Sequence, residues 1–183
     1  MGADYPDATW LPAHSSNYKQ GRAQHAQLII IHCTDGRSQA VNTAQMFATP
    51  KDQRTPPVAS SAHFVVGQAG EVYQCVRLVD TAYHAHTVNG ISVGIEHCAR
   101  TPGELGRDDA GLPPSDAQYE ASARLVAWLC VQLGLTPSRV CIMGHAEADA
   151  NTSHSQCPNG CGWDWPRYMA LVVDAFNKVQ AVA

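Results

Sequence analysis

Two short apolar runs in this chain each end in a histidine, and each run has the composition of a buried strand. Leu28–Ile31 is fully apolar and rich in β-branched residues, which predicts a central strand leading directly into His32. Val140–Met143 predicts a second strand of this kind, followed by Gly144 and His145. Strands of open α/β sheets deliver the residue at their carboxyl end to the edge where ligands bind. The pattern therefore predicts two imidazoles at a functional edge.

The remaining hydrophobic periodicity predicts strands and helices that alternate along the chain. The further strands that it predicts are Ala62–Val66, Glu71–Val76 and Ile91–Cys98. The predicted helices are one opened by Gly36 and Ser38 that ends before Pro50, one from a Ser115/Gln118 capping box to Gly134, and a last one with Asp164 as N-cap. Residues 1–26 are predicted as an irregular lead-in, and residues 100–114 and 146–162 as loops. These elements indicate a single α/β domain over residues 1–183.

Composition narrows the class of protein. With 183 residues, of which 45% are hydrophobic and 15% charged, the chain has the size and make-up of one globular domain. The formal charge of −4 and the lack of a Lys/Arg cluster argue against nucleic-acid binding. No apolar run approaches the length of a membrane span, and residues 1–5 lack the features of a signal peptide. An exported protein would therefore need a signal removed beforehand or another route.

The chain contains seven cysteines, which is a large number for a reducing compartment. The odd count is compatible with one metal thiolate plus pairs that oxidise to disulfides, for example Cys157 with Cys161. The alternative is that most are small buried hydrophobic residues, which suits Cys130 and Cys141 inside apolar elements. The sequence leaves both interpretations, and every pairing, open.

His32 and His145 together predict a zinc site. Either histidine alone is more typical of a structural residue, but two core strands that end in the same way favour a shared metal. Cys157 is the third predicted ligand, because thiolate binds zinc well. Three such ligands leave one coordination position for water. His154 in the same loop and Cys98 on another strand are the alternative third ligands.

Glu96 is the predicted proton-transfer residue. It lies inside the apolar run 91–96, where a carboxylate is costly unless it has a partner or a chemical role. That role would be general base toward an attacking water and then proton donor to a leaving amine, whereas the alternative is a strand-end residue facing solvent. Gly94, on the same strand face, leaves room for a substrate or ligand to approach. His154 and Ser155 would donate hydrogen bonds to an oxyanion if their loop folds over the metal.

These residues, in this order, resemble the zinc-dependent type 2 N-acetylmuramoyl-L-alanine amidases. That family includes phage T7-lysozyme-like amidases and peptidoglycan recognition proteins. The resemblance extends from about Trp10 to Tyr168, which is nearly the whole chain. The segments that carry it are Ile29–Thr34, Ser60–Val66, Ser92–Glu96, Gly144–Glu147, Cys157–Pro158 and Trp163–Trp165.

The resemblance implies a fold, a cofactor and a reaction. It implies a mixed central β-sheet flanked by helices and one catalytic Zn2+ held by His32, His145 and Cys157. The implied reaction is hydrolysis of the amide that joins N-acetylmuramic acid to L-alanine of the peptidoglycan stem peptide. Glu96 matches the catalytic glutamate of the members that use one. The residues expected to bind the substrate are His63, Tyr83, His84 and Asn89.

The sequence also departs from the family pattern. Ala62 lies where members with a cysteine ligand often carry a catalytic tyrosine, so Glu96 must act without it. Ser155, with His154 beside it, replaces the usual lysine, threonine or histidine two residues before the third ligand. The usual Trp-His-Ala-Gly is Tyr83–His86 here, and this segment either lines a substrate groove or is an exposed polar loop. Which of His154 and Ser155 stabilises the oxyanion stays open.

The motifs are compatible with three kinds of protein, of which they favour an amidase. An amidase would act on peptidoglycan or muropeptides, as a monomer, in a secreted, periplasmic or phage-delivered setting. A binding module of the same fold would recognise muropeptides without cutting them and need not hold metal. A structural protein would close the metal with a fourth ligand such as His154. The three predicted ligands and Glu96 together favour the enzyme.

Overall fold

The centre of the computed structural model, which describes residues 2–36, 39–103 and 109–181, is a six-stranded sheet. The strands are β1 (Thr9–Trp10), β2 (Tyr18–Lys19), β3 (Leu28–Cys33), β4 (Phe64–Val66), β5 (Val72–Gln74), β6 (Thr81–Ala82), β7 (Ser92–His97) and β8 (Ile142–Gly144). The α-helices are α1 (Ala40–Ala48), α2 (Asp116–Leu133), α3 (His145–Ala148) and α4 (Trp165–Gln180). The strand order is β1-β5-β4-β7-β3-β8, and β2 pairs with β6 separately.

β3 is the central strand, because it pairs in parallel with β7 on one side and with β8 on the other. A strand paired on both edges in a covered sheet needs apolar side chains throughout. Ile29, Ile30 and Ile31 meet this need and are fully buried. β5 runs antiparallel to β4, so the sheet is mixed. The predicted α/β fold with a mixed central sheet flanked by helices is confirmed.

Helices cover both faces of the sheet. α2 and α4 pack against each other, and Leu125 of α2 shares an apolar cluster with Ile29 and Phe64. On the other face, Phe47 of α1 belongs to a second cluster that includes Val65. Because neither face is open, the side chains available for chemistry lie at the ends of the strands.

The parallel register brings the carboxyl ends of β3, β7 and β8 to one edge. His32 lies opposite Glu96, and Ile31 lies opposite Gly144. His145 follows Gly144 directly and is the first residue of α3. Both predicted imidazoles therefore lie at the same edge of the sheet, as the two strand patterns indicate.

The structure corrects three of the predicted elements. The lead-in at residues 1–26 contains β1, which pairs with β5, and β2, which pairs with β6. These strands are two residues long, too short for an alternating pattern to reveal them. β8 begins at Ile142 rather than at Val140, whose side chain is 80% exposed. α3 occupies the start of the predicted loop 146–162.

The helix boundaries confirm the predicted caps with one exception. Ser115 Oγ accepts a hydrogen bond from Gln118 N at 3.1 Å, and Gly134 ends α2 in the left-handed conformation at φ 65°. Gln118 does not complete the capping box, because its Nε2 donates to Val66 O at 2.8 Å and joins α2 to β4. The Asp164 side chain caps α4 as predicted.

The remaining predictions concern α1, the cysteines and membrane spans. α1 begins at Ala40, whereas Ser38 and residues 104–108 of the predicted loop lie outside the described residues. All seven cysteines are free thiols, so the structure contains none of the disulfides considered above. Cys130 and Cys141 are buried, as expected for small hydrophobic residues. Within the described ranges, no helix has the length and apolar character that a membrane span requires.

Ser115→Ala is expected to destabilise the protein by about 1–2 kcal/mol, because it removes the cap of α2. It also removes the hydrogen bond from Ser115 Oγ to Gln68 O, which joins the cap to the turn between β4 and β5. Urea unfolding would measure the difference, with Ser153→Ala as an exposed control. Equal unfolding midpoints for Ser115→Ala and the wild type would contradict the expectation.

Candidate metal centre and active site

A cavity of about 560 Å³ opens at the sheet edge where β3, β7 and β8 end. The residues predicted to bind metal or to act in catalysis that line it are His32, Glu96, His145, His154 and Cys157. α1 contributes Asn42, Gln45 and Met46 to the wall. No sequence signal marks these α1 residues, because polar positions on a surface helix look alike whether they face solvent or a cavity. The cavity therefore combines strand-end chemistry with a helical wall.

Three potential metal ligands converge in this cavity. One ligand atom from each of His32, His145 and Cys157 lies within 4.8 Å of the other two. The alternative ligand Cys98 is buried in the apolar cluster beneath α1, where its Sγ lies 4.0 Å from Thr43 Oγ1. The other alternative, His154, stacks on His145 with ring centroids 5.6 Å apart. Of the rival sets predicted from the sequence, the geometry brings together the one that contains Cys157.

Backbone contacts position Cys157 at the end of β3. Its Sγ accepts a hydrogen bond from Cys33 N at 3.3 Å, and its carbonyl accepts from Ala146 N at 3.0 Å. Gly144 permits this close approach, since a Cβ there would lie 2.6 Å from Pro158 Cδ. The loop that carries the thiol is therefore fixed against both strands that carry the imidazoles.

A chain of hydrogen bonds orders the protons on His32. Ser92 Oγ donates to Val88 O at 2.7 Å, so it accepts from His84 Nε2 at 3.1 Å. His84 Nδ1 then carries no proton and accepts from His32 Nε2 at 3.0 Å. Protonation of His32 at Nε2 leaves the Nδ1 lone pair free. The outer partners therefore prepare the neutral tautomer that binds a metal through Nδ1.

Burial keeps His32, His84 and His145 neutral. It lowers the pKa of His32 and His84 well below the usual value, and the neighbouring imidazoles lower both further. Burial lowers the pKa of His145 to about 4, with a further contribution from His154. Neutral imidazole is the form that ligates metals, so these rings need not lose a proton on binding at neutral pH.

Glu96 and Cys157 respond to burial in the opposite direction. Burial, with a smaller contribution from the nearby Asp35 carboxylate, raises the pKa of Glu96 to about 8. Burial, followed by the charge of Glu96, raises the pKa of the Cys157 thiol above its usual range. Glu96 Oε2 is buried without a hydrogen-bond partner in the described structure. Among the described residues, no positively charged group is a cause of either pKa shift.

The four residues predicted to bind substrate are divided by the structure. Tyr83 and His84 line the cavity. His63 is fully buried and does not line it: its Nδ1 accepts from Gly94 N, and its Nε2 lies 2.9 Å from Arg22 Nη2. Asn89 Oδ1 accepts from the backbone N–H of residues 84 and 85, so it holds the loop instead of facing the cavity. The geometry does not support substrate contact for His63 or Asn89.

The two predicted oxyanion residues are also divided. His154 lines the cavity, whereas the exposed Ser155 is not among the lining residues. The geometry therefore favours His154 as the one of the pair that faces a bound substrate.

Gly94 leaves room for His84, and Gly94→Ala is expected to destabilise the protein by about 1–3 kcal/mol through overpacking. A Cβ on Gly94 would lie 2.5 Å from His84 Cγ, in a site closed by β3 and β4. Gly90→Ala is the matched control, because a Cβ there has nothing within 4 Å. Urea unfolding of the three proteins provides the measurement, and a Gly94→Ala midpoint equal to that of Gly90→Ala would refute the close contact.

The raised pKa of Glu96 predicts a pH-dependent effect of Glu96→Gln on the metal-free protein. The folded value is about 8 and the unfolded value 4.5. Between these values the unfolded chain has released a proton that the folded chain still holds, so wild-type stability falls as pH rises. The loss amounts to a few kcal/mol at about 1.4 kcal/mol per pKa unit, and the glutamine variant avoids it.

Urea unfolding in excess chelator at about pH 4 and about pH 9 would measure this difference between variant and wild type. The variant is expected to be the more stable protein at the higher pH only. The same difference at both pH values would contradict the raised pKa.

Comparisons with known proteins identify the family of the chain. Residues 22–160 match the family model Amidase_2, described as N-acetylmuramoyl-L-alanine amidase. N-acetylmuramoyl-L-alanine amidase A of Achromobacter lyticus is 29% identical over 186 residues, with 92% of this chain and 95% of that protein covered.

Two solved structures show the same fold. A selenomethionine derivative of AmpD aligns with a TM-score of 0.72 and 22% identity over 94% of this chain and 99% of that one. A mutant endolysin from Bacillus subtilis aligns with a TM-score of 0.65 and 21% identity over 89% and 96%. At these identities the two structures establish the fold alone. Because the family model matches well over half of the residues, the chain belongs to the N-acetylmuramoyl-L-alanine amidase family.

Proposed function

We propose that the protein is a zinc-dependent amidase that cleaves the amide between N-acetylmuramic acid and L-alanine of the peptidoglycan stem peptide. The observation that carries the proposal is the convergence of His32, His145 and Cys157 within 4.8 Å, in a cavity that also holds Glu96. Family membership and the name of the curated relative support the choice of substrate.

The donor set fits zinc. Two neutral imidazoles and one thiol are ligands that zinc prefers, and three of them form the open kind of site that catalysis requires. Glu96 Oε2 is buried without a partner in the described structure, and burial and the charge of Glu96 hold the Cys157 thiol protonated. A cation at this position would compensate both groups, and metal binding would release the thiol proton. When bound, zinc supplies Lewis-acid chemistry that polarises a carbonyl and acidifies water.

Glu96 is the proposed proton carrier. Its unpaired Oε2 accepts the proton of the attacking water and returns it to the departing alanine nitrogen. The apolar surroundings favour both steps, because they keep the pKa of this carboxyl near the pH at which it must gain and lose a proton. The tyrosine that could share this work in related proteins is replaced by Ala62, which is buried in the cluster beneath α1.

The other cavity residues are proposed to bind and orient the substrate. His154 lies beside the ligand His145 and is placed to donate a hydrogen bond to the oxyanion that forms on the attacked carbonyl. Tyr83 and the polar face of α1 form the wall against which a sugar or stem peptide would lie. We assign the enzyme, acting as a monomer, to peptidoglycan or muropeptides at the cell wall, reached by export or phage delivery.

A non-catalytic muropeptide-binding module is the alternative function, and zinc content separates it from the enzyme. A binder needs neither a metal nor an unpaired carboxylate, yet this chain keeps both the three ligand side chains and Glu96 at the cavity. A closed structural site would need a fourth protein ligand, and the described residues supply three in this cluster.

Glu96→Gln is expected to keep one zinc per chain and to lower turnover by at least about 100-fold, since general acid–base catalysis contributes 10²–10⁴-fold. The assay digests purified peptidoglycan, with and without a chelator, and counts new L-alanine amino termini. The wild-type protein should release new amino termini only without chelator. Glu120→Gln is the matched control, because Glu120 is an exposed glutamate on α2. Wild-type turnover in Glu96→Gln would remove Glu96 from the mechanism. New reducing sugar ends would instead indicate a glycosidase.

A further inference from the structure

A second cluster of potential ligand atoms lies behind the metal centre. His86, His145 and Asp149 each place one such atom within 4.8 Å of the others. Asp149 is only 2% exposed, although a carboxylate is costly to bury without partners. Its Oδ2 lies 2.9 Å from His86 Nδ1, and its Oδ1 accepts from Asn151 N at 3.2 Å. The proposed mechanism does not account for this buried carboxylate.

The carboxylate faces the ring nitrogen of His145 that the metal centre does not use. His145 Nε2 lies 4.0 Å from Asp149 Oδ2, and it is buried without a hydrogen-bond partner. Because Nε2 is enclosed, Nδ1 is the nitrogen that can reach the cavity. The separation is longer than a hydrogen bond, so the carboxylate acts on this ring through its charge, which favours a proton on Nε2.

Other groups around His145 do not provide this bias. The rings of His32, His154 and His86 lie 4.6, 5.6 and 6.5 Å from it, centroid to centroid. None of these rings bears a negative charge, so none attracts a proton to Nε2 as a carboxylate does. Asp149 is therefore the anionic group in contact with the buried side of this ring.

The backbone of His86 is strained, although its side chain is in contact with Asp149. His86 has φ +40°, in the left-handed region that side chains with a Cβ avoid. Its side chain is 71% exposed, so burial of the imidazole does not hold it there. In this conformation the His86 ring forms a hydrogen bond with Asp149, and that bond offsets the backbone strain.

We propose that Asp149 is a positioning residue for the metal ligand His145, and that His86 anchors Asp149 in place. The carboxylate keeps the proton of His145 on Nε2 and leaves Nδ1 free for zinc, as the His84–Ser92 chain does for His32. Each imidazole ligand would then have a partner for the ring nitrogen that does not bind zinc, a histidine for His32 and a carboxylate for His145. This inference rests on the zinc site of the proposed function.

The test measures zinc affinity by competition with a chromogenic chelator, in the wild type, Asp149→Ala, His86→Gly and the control Asp116→Ala. Loss of an outer partner lowers metal affinity about 10–100-fold, and this is the expected increase in Kd for Asp149→Ala. His86→Gly removes the anchor and relieves the strained φ, so it should weaken zinc binding without lowering stability toward urea. Asp116 lies at the exposed start of α2, so its variant should keep the wild-type Kd.

A second readout needs no metal. The ¹⁵N shifts of the His145 ring in the metal-free protein report its tautomer, which should be Nε2–H in the wild type and shift toward Nδ1–H in Asp149→Ala. An unchanged tautomer, or zinc Kd values for both variants within twofold of the wild type, would overturn the inference. A second zinc per chain that is lost in His86→Gly would also overturn it, because the cluster would then be a metal site itself.

The two readouts separate this inference from the function on which it rests. Failure of the wild type to bind zinc would refute the proposed function, and the tautomer measurement would then decide the role of Asp149 alone. Should Asp149→Ala fail to fold, His86→Gly still decides the outcome, since glycine adopts the required φ without strain.

Discussion

The parallel pairing of β3 with both β7 and β8 is the constraint on which the site depends. The register of this pairing makes the three strands end at the same edge of the sheet. His32, Glu96 and His145 therefore lie close together, although long stretches of chain separate them. A one-residue slip of β7 would turn Glu96 to the other face and bring Ile95 to the cavity. Val93 and Ile95 of β7 oppose such a slip, because both are fully buried in the apolar cluster beneath α2 and would be turned out of it. The hydrophobic core thus specifies the catalytic geometry.

The electrostatics of the cavity follow from the same burial. Enclosure by the sheet and α1 disfavours every charged form, so the imidazoles stay neutral while the carboxyl and the thiol hold their protons more tightly. A cation bound as proposed would compensate the Glu96 carboxylate and the Cys157 thiolate, which burial otherwise disfavours. Under that proposal, the stability of the site and its chemistry both depend on the bound ion.

Many elements of the fold and several residues of the candidate site could be predicted from the sequence, because their signals are local. The apolar run before His32 and the cap at Ser115 are patterns within a few residues, and both predict the observed elements. Features that depend on distant partners could not be predicted. Gln118 donates to β4 instead of its own helix, and His63 is enclosed by Arg22 from the lead-in. Asp149 resembles any loop aspartate until folding buries it beside His145.

The spread of the three ligand residues along the chain has a consequence for unfolding. More than half of the sequence lies between His32 and His145, and Cys157 follows only after a further loop. An ion bound to all three would act as a crosslink between β3 and the segment that follows β8, closing a long loop that the unfolded chain would otherwise leave free. The segment after β8 could then not separate from β3 while the ion stays bound.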